Sequence, residues 1–386
     1  MQRLKGALIG FGFIAEKGHL PAYSAAGFEL VAVCDTNAAR RKLAQAAFPN
    51  ARIYDNHHAL IAAEKGNIDF VDIATPPYMH ATIAHAAFDA GLHVLCEKPM
   101  AVTTDEARSM IEHALRSKRV LFPSHNYKHA PVVRAVGKVL EAGTIGKVHY
   151  VTLDTFRNTH ARGVSEWRES WRREKKYSGG GIAMDHGSHT FYLAFEWLQS
   201  YPTSITAKMS TAKTTPSYEK KGEPTYDTED TFSAHIEFPT GTAVAQLTWR
   251  AGIRKVIYTI HGEKGAIRVE DDDVEVSVMS EDTGNASTRR TWKVTEEKIA
   301  SDWMDASHTI WFRSLFERFS TAVEAGDYAG KDAQDALRCV ELINAAYASA
   351  ADESRERMLS GADVAPPLSK RNVNGNGKSK KESLRT

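Results

Sequence analysis

The sequence predicts an α/β chain with a doubly wound parallel sheet over the first 125 residues, then an α+β domain on a large, mostly antiparallel, open-faced sheet. Three observations carry this. Short apolar strands alternate with alanine-rich helical stretches up to residue 125, the pattern of βαβ units. After about residue 145 the chain becomes a succession of strands divided by turn residues. A glycine-rich turn, Gly10-Phe11-Gly12-Phe13-Ile14-Ala15, lies between the first strand and the first helical stretch.

The strands of the first half are read at 7–10, 30–35, 52–54, 70–74, 93–96 and 120–122. Most are short and almost wholly apolar, as expected of a sheet buried on both faces. Helical stretches at 38–47, 80–90 and 104–117 separate several of them. In the second half strands are read at 147–156, 204–212, 230–238, 243–249, 255–261, 265–269, 274–279 and 288–294. Turn signals such as Pro239-Thr240-Gly241 and Gly262-Glu263-Lys264-Gly265 punctuate them. An apolar stretch at helical spacing covers 182–198, and two late helices are read at 306–325 and 331–350. The expected domains are 1–125 and 126–367, with the helix at 331–352 packing back on the first. A polar, charged tail, 368–386, is expected to be disordered.

Composition narrows the function. Hydrophobic residues make up 42% of the 386 and charged residues 25%, which excludes a mostly disordered chain and a collagen-like one. The net charge of +1 hides an asymmetry. Residues 369–386 carry six basic side chains and one acid, a net +5, so the remainder carries +1 − 5 = −4. A mildly acidic body does not suit nucleic-acid binding. Three cysteines are too few for a disulfide framework, and a reducing cytoplasmic location is the expectation. No apolar run reaches the roughly 18–20 residues of a membrane span, and the N-terminus lacks the pattern of a signal peptide. Histidine pairs such as His57-His58 stand outside any metal-binding pattern, so no metal site is expected.

The glycine turn has the form G-x-G-x-x-G/A. Gly10 permits the tight turn, Gly12 lets a pyrophosphate approach the backbone, and Ala15 keeps the helix close to the strand. Phe13 and Ile14 lie in the same turn, at the start of a helix whose N–H groups would face phosphate. Asp35 ends the second strand, 25 residues after Gly10. A carboxylate there accepts from an adenosine ribose and repels a 2′-phosphate, favouring NAD over NADP. Arg40 and Arg41 nearby are the counter-signal.

Three further segments follow in order. Ala74-Thr75-Pro76-Pro77-Tyr78-Met79-His80 succeeds the fourth strand, and Ala90-Gly91-Leu92-His93-Val94-Leu95-Cys96-Glu97-Lys98-Pro99 holds the fifth. Gly179-Gly180-Gly181 leads to Asp185, Gly187 and His189 in the form G-G-G-x-x-x-D-x-G-x-H. With the glycine turn, these make the chain similar, over about residues 3–352, to the glucose–fructose oxidoreductase/inositol dehydrogenase (Gfo/Idh/MocA) family.

The resemblance implies roles. Thr75 and Pro76 would line the nicotinamide-ribose side, with His80 beside the cofactor. Glu97 would border the nicotinamide pocket, and Lys98 would contact the substrate hydroxyl and the cofactor. Asn126 would lie near the cofactor, and Trp171 with Arg172 would cover the nicotinamide. Asp185 and His189 match the family's catalytic acid and histidine. Tyr192 is a departure, because many members carry a second acid there. The resemblance also implies a homodimer or homotetramer formed through the C-terminal sheet.

The chemistry agrees with these roles. Oxidising a secondary alcohol removes a hydride from carbon and a proton from oxygen. A histidine suits the proton step, and a lysine can stabilise the developing alkoxide. Asp185 and His189 are four apart, so one continuous helix would place them on one face. Arg157, Asn158 and His160 leave the first strand of the second domain where substrate would reach. The expected protein is an NAD-dependent oxidoreductase acting on a secondary hydroxyl, or the corresponding ketone, of a sugar, sugar derivative or cyclitol. Redox-neutral sugar cleavage or rearrangement with tightly bound NAD is one alternative. A non-catalytic sugar or nucleotide sensor is the other.

Overall fold

The computed structural model describes residues 3–211, 226–282, 289–303 and 308–359. The first six strands are β1 (Lys5–Ile9), β2 (Glu29–Cys34), β3 (Arg52–Tyr54), β4 (Phe70–Ile73), β5 (His93–Cys96) and β6 (Leu121–Pro123). They form one sheet in the order β3-β2-β1-β4-β5-β6, every pair parallel. The order reverses between β1 and β4, and ligands of such sheets bind outside the carboxyl ends of the strands at that point. Side-chain caps start the intervening helices. Asn37 caps Ala38–Ala47, Asn56 caps His57–Glu64, and Thr103 with Glu106 forms a capping box on Thr104–Ser117.

The second sheet has nine strands: β7 (Val148–Phe156), β8 (Ser204–Ser210), β9 (Thr231–Phe238), β10 (Gly241–Thr248), β11 (Lys255–Gly262), β12 (Gly265–Glu270), β13 (Asp273–Asp282), β14 (Arg289–Lys298) and β15 (Arg357–Met358). Their order is β14-β13-β12-β11-β7-β10-β9-β8-β15, antiparallel throughout except for β7 beside β10. One face is packed and the other open. Along β9, Phe232, Ala234, Ile236 and Phe238 are buried while Ser233, His235 and Glu237 are exposed. The helix Gly187–Leu198 covers the packed face and is buried at every position but Glu196.

Two late helices tie the halves together. In Lys331–Ala351, Ala333, Ala336, Leu337 and Val340 enter the core of the parallel sheet. Leu342, Ile343 and Ala346 of the same helix enter the core of the second sheet. Phe312, Phe316 and Phe319 from Thr309–Ala325 join an aromatic cluster with Tyr23, Phe28 and Phe70 of the first half.

The structure adds to and corrects the sequence reading. The stretch 182–198 is two helices, Ile182–Asp185 and Gly187–Leu198, separated at His186. The short edge strand β15 was not foreseen. The expected starts of the eighth strand of the second half (residue 288) and of the first late helix (306), the end of the strand at 204–212, and the whole basic tail fall outside the described residues.

Candidate active site

Gly10 has φ of 97°, and a Cβ there would come within 2.8 Å of the Ala74 carbonyl group. The close approach of β1's end to the turn after β4 therefore requires glycine. At Gly12 a Cβ would meet nothing within 4 Å, so the backbone stands open to the cleft. Asp35 is held by N–H donation from Phe11 (2.8 Å) and Asn37 (2.7 Å). Arg40 is buried and committed, donating to the Phe11 carbonyl (2.6 Å) and to Glu16 (2.8 Å). Arg41 donates to the main-chain carbonyls of Asp35 and Thr36. The Arg40 charge is thus taken up by Glu16, while Arg41, held on main-chain carbonyls, keeps its charge beside Asp35.

From this turn a cleft of about 740 Å³ runs past Thr75 and Pro76 to Lys98, Asp185 and His189. Lys98 Nζ lies 2.9 Å from Asp185 Oδ1 and also donates to the Asp185 main-chain carbonyl at 3.2 Å. That carbonyl is available because the helix breaks at His186, and Ser188 Oγ donates to it as well, at 2.8 Å. Arg172 Nε sits 3.5 Å from the same Oδ1, its guanidinium stacked over Trp171. Burial alone would raise the Asp185 pKa, but Lys98 and Arg172 outweigh it and hold the carboxyl well below the usual range. His189 is pushed the other way from a charged imidazole. Burial, then Lys98 and His186, hold its pKa well below the ordinary value, so the ring is neutral. It stacks on Tyr127 with ring centroids 4.1 Å apart.

The turn bearing Asp185 is fixed from behind. A Cβ at Gly181 would sit 1.9 Å from the Glu229 main-chain oxygen, so only glycine permits the approach. The Glu229 carboxylate accepts from the N–H groups of Gly181 and Ala183, each at 2.9 Å, and from Tyr347 Oη at 2.8 Å.

Beneath Lys98 lies a buried charge relay. His19 Nδ1 is 2.8 Å from Asp72 Oδ2, and its Nε2 is 3.0 Å from Glu97 Oε1. Burial opposes charge on this ring, but the two carboxylates prevail and push its pKa up to about 10. Glu97 Oε2 in turn accepts the Lys98 main-chain N–H at 3.0 Å. His19 reaches both carboxylates from a π-helical turn, Ala15–His19, directly after the glycine turn; such turns recur at functional sites.

The sequence model of an oxidoreductase family with an NAD-binding Rossmann fold (Gfo/Idh/MocA) matches residues 4–125. The model of that family's C-terminal alpha/beta domain matches residues 138–357. The chain belongs to the Gfo/Idh/MocA family.

Several relatives of this chain carry the names of sugar dehydrogenases. It is 39% identical over 147 residues to D-apiose dehydrogenase of Paraburkholderia graminis, a match spanning 38% of each chain. It is 30% identical over 244 residues to D-glucoside 3-dehydrogenase of Escherichia coli, spanning 62% of this chain and 68% of that one. In fold it is similar to levoglucosan dehydrogenase in complex with NADH, with a TM-score of 0.75 at 24% identity, covering 93% of this chain and 99% of the other. The first half is an NAD-binding Rossmann domain, and the open backbone at Gly12 and the carboxylate of Asp35 fit that cofactor.

Most residues singled out from the sequence line this one cleft: Phe13, Ile14, Thr75, Pro76, Glu97 and Asn126 toward the first domain. Trp171, Arg172, Arg157, Asn158 and His160 line it from the second. Buried polar atoms without a hydrogen-bond partner gather there, among them Thr75 Oγ1, Asn126 Oδ1 and His189 Nδ1. His80 lies elsewhere. It is fully buried, with its ring nitrogens 2.9 Å from the Pro99 carbonyl and 2.8 Å from that of Thr75. It straps the T-P-P turn to the E-K-P turn from behind the wall. Asp185 and His189 do not share one continuous helix, and Asp185 turns to Lys98 as its ion-pair partner. Tyr192 is buried, accepts the Tyr127 N–H at 3.2 Å and stacks on His125.

Sequence reasoning passed over His19, Asp72, Tyr127, His186 and Glu229. Only His186 carried a local signal, since it lies inside the G-G-G…H segment.

Proposed function

We propose that the protein is an NAD-dependent dehydrogenase that oxidises a secondary hydroxyl of a sugar, sugar derivative or cyclitol, or reduces the corresponding ketone. The observation that carries this reading is the Lys98–Asp185 pair at 2.9 Å beside a neutral His189, at the far end of a cleft that begins at the glycine turn. Sugar oxidation in the named relatives supports it.

NAD bound along the cleft supplies the hydride acceptor. Gly10, Gly12, Phe13, Ile14 and Asp35 would hold its adenosine half. Thr75, Pro76, Glu97, Lys98, Asn126, Trp171 and Arg172 would border the other half. The protein's own chemistry is proton handling and placement. Asp185 fixes the Lys98 ammonium through two oxygens, so the ammonium meets the substrate oxygen already oriented and stabilises negative charge as it forms. A neutral imidazole can accept the hydroxyl proton, and His189 is in that state at neutral pH. Arg157, Asn158 and His160 would face the substrate's remaining groups.

We further place the cofactor domain at 1–125 and the substrate domain at 126–367. The open face of the nine-stranded sheet supports assembly into a homodimer or homotetramer. Three buried free thiols, Cys34, Cys96 and Cys339, support a reducing cytoplasmic setting. Among the described residues no helix is long and apolar enough to cross a membrane.

A screen of sugars and cyclitols with NAD and NADP in parallel tests the reading, following NADH and product together. NADH formed in step with a keto product is expected. Sustained product without NADH would replace the reading with redox-neutral chemistry.

A further inference from the structure

Arg157 is only 7% exposed, yet among the described residues no carboxylate lies within ion-pair distance of it. It follows the last residue of β7 and lines the cleft on the side of the second sheet. Its Nη1 donates to the main-chain carbonyls of Phe156 (3.1 Å) and Lys255 (3.3 Å). These contacts fix the guanidinium in place without neutralising it. A buried charge left without a counter-charge is strongly unfavourable. An enclosed arginine on the wall of a binding cleft therefore calls for an anion brought by the ligand, and its planar fork suits a carboxylate.

The surroundings strengthen this. Lys98, Arg157 and Arg172 line this end of the cleft, against the carboxylates of Glu97 and Asp185. The Glu97 carboxylate shares the His19 imidazolium with Asp72, and that of Asp185 is paired with Lys98, so neither reaches Arg157. At the neighbouring histidines burial dominates, and the nearby cations add to it. Burial and then Arg157, Lys98 and Arg172, against the opposing pull of Asp185, push His186 down to about 3. Burial and then Arg173, Arg172 and Arg162 push His160 down to about 4. The cofactor's phosphates do not meet this demand, because their cradle at Gly12 lies at the end of β1 in the other sheet. Arg157 instead neighbours Tyr127 and His186, the residues around His189.

We infer that the substrate is a sugar acid, a polyhydroxylated carboxylate whose carboxylate is received by Arg157 while the hydroxyl to be oxidised rests on Lys98 and His189. This assignment rests on the dehydrogenase reading and narrows it. It also answers the mildly acidic net charge of the body, which alone points away from anionic substrates. The charge that counts is local.

Two readouts on the intact protein test it. In the first, the NADH-saturated protein is melted with D-gluconate, D-glucuronate and D-galacturonate, with the matched neutral sugars, and with D-glucose 6-phosphate. In the second, NAD-linked kcat/KM is measured for the same panel. The acids should raise Tm and be preferred over their neutral partners by about ten- to hundredfold, the range of a charge-assisted hydrogen bond. Arg157→Met should erase that preference, and Arg157→Lys should keep part of it. Equal response to acids and neutral sugars in the unmodified protein would overturn the assignment without recourse to any variant. So would a stronger response to the phosphate ester, or an unchanged acid preference in a folded Arg157→Met. Acids that raise Tm through Arg157 while no sugar is oxidised would uphold the anion site and sink the dehydrogenase reading. Oxidation of neutral sugars alone would do the reverse.

Discussion

Lys98 and Asp185 stand 87 residues apart in the chain, and Asp185 offers the Lys98 ammonium two acceptors, a carboxylate oxygen at 2.9 Å and its own main-chain carbonyl at 3.2 Å. The lysine is thus fixed by a residue from the other domain, and the cleft is chemically complete only when both domains are in place. Asp185→Asn leaves the shape but removes the charge that orients Lys98. We expect kcat to fall by about a hundredfold, with NADH affinity, measured by fluorescence titration, changed less than fivefold. Loss of NADH binding in step with kcat would mean that the pair builds the cofactor site rather than the reaction site.

His19 is predicted to be a pH-dependent fastener of the same site. Its folded pKa is raised to about 10, above the ordinary value near 6.5. The stabilisation it gives is therefore fully present below about 6.5 and is lost as pH rises toward and through 10. His19→Gln removes the charge between Asp72 and Glu97. Breaking a buried ionic network typically costs about 3–5 kcal/mol. Thermal melts between pH 6 and pH 10 should show the wild type losing its advantage over His19→Gln as pH rises. A constant gap would mean that the ring is neutral in the folded protein.

The division between what the sequence disclosed and what it hid has a physical pattern. The six parallel strands were legible because a strand buried on both faces is nearly all apolar. The glycine turn was legible because φ of 97° at Gly10 leaves few residue choices. Lys98, Asp185 and His189 were legible through the family resemblance, since nothing local marks a lysine before proline. The split at His186 was hidden because apolar spacing continues across it, while the freed carbonyl matters only to a lysine in the other domain. The His19 network was hidden because its partners lie 53 and 78 residues away. Arg157 was placed near the substrate from the sequence, but its lack of a counter-charge could be seen only in the structure.

The acid limb of the pH profile should report His189. Its pKa is lowered well below 6.5 by burial, Lys98 and His186, and the neutral, proton-accepting form is the one present above that pKa. The kcat/KM of the alcohol oxidation should therefore show no fall near pH 6.5 as the solution is acidified, only at distinctly lower pH. Asp185, held lower still than an ordinary carboxyl, keeps its charge over the same range. A limb centred at 6.5 or above would show that the imidazole is solvated or paired in the working complex.

Cofactor choice should turn on Asp35. Two main-chain N–H groups, from Phe11 and Asn37, hold its carboxylate at the end of β2. A 2′-phosphate there would meet a fixed like charge. Arg40, one of the two neighbouring cations, is withdrawn into its bonds with Phe11 and Glu16. Asp35→Ser keeps a small polar residue and removes the repulsion. The ratio of kcat/KM with NAD to that with NADP should fall by about tenfold or more. Adding Glu16→Gln releases Arg40 from its ion pair and should move the ratio further in the same direction. If Asp35→Ser lowered turnover with both cofactors equally, the carboxylate would be shaping the turn rather than selecting the ribose. If the wild type already preferred NADP, Arg41, which rests on the main-chain carbonyls of Asp35 and Thr36, would be the residue to replace next.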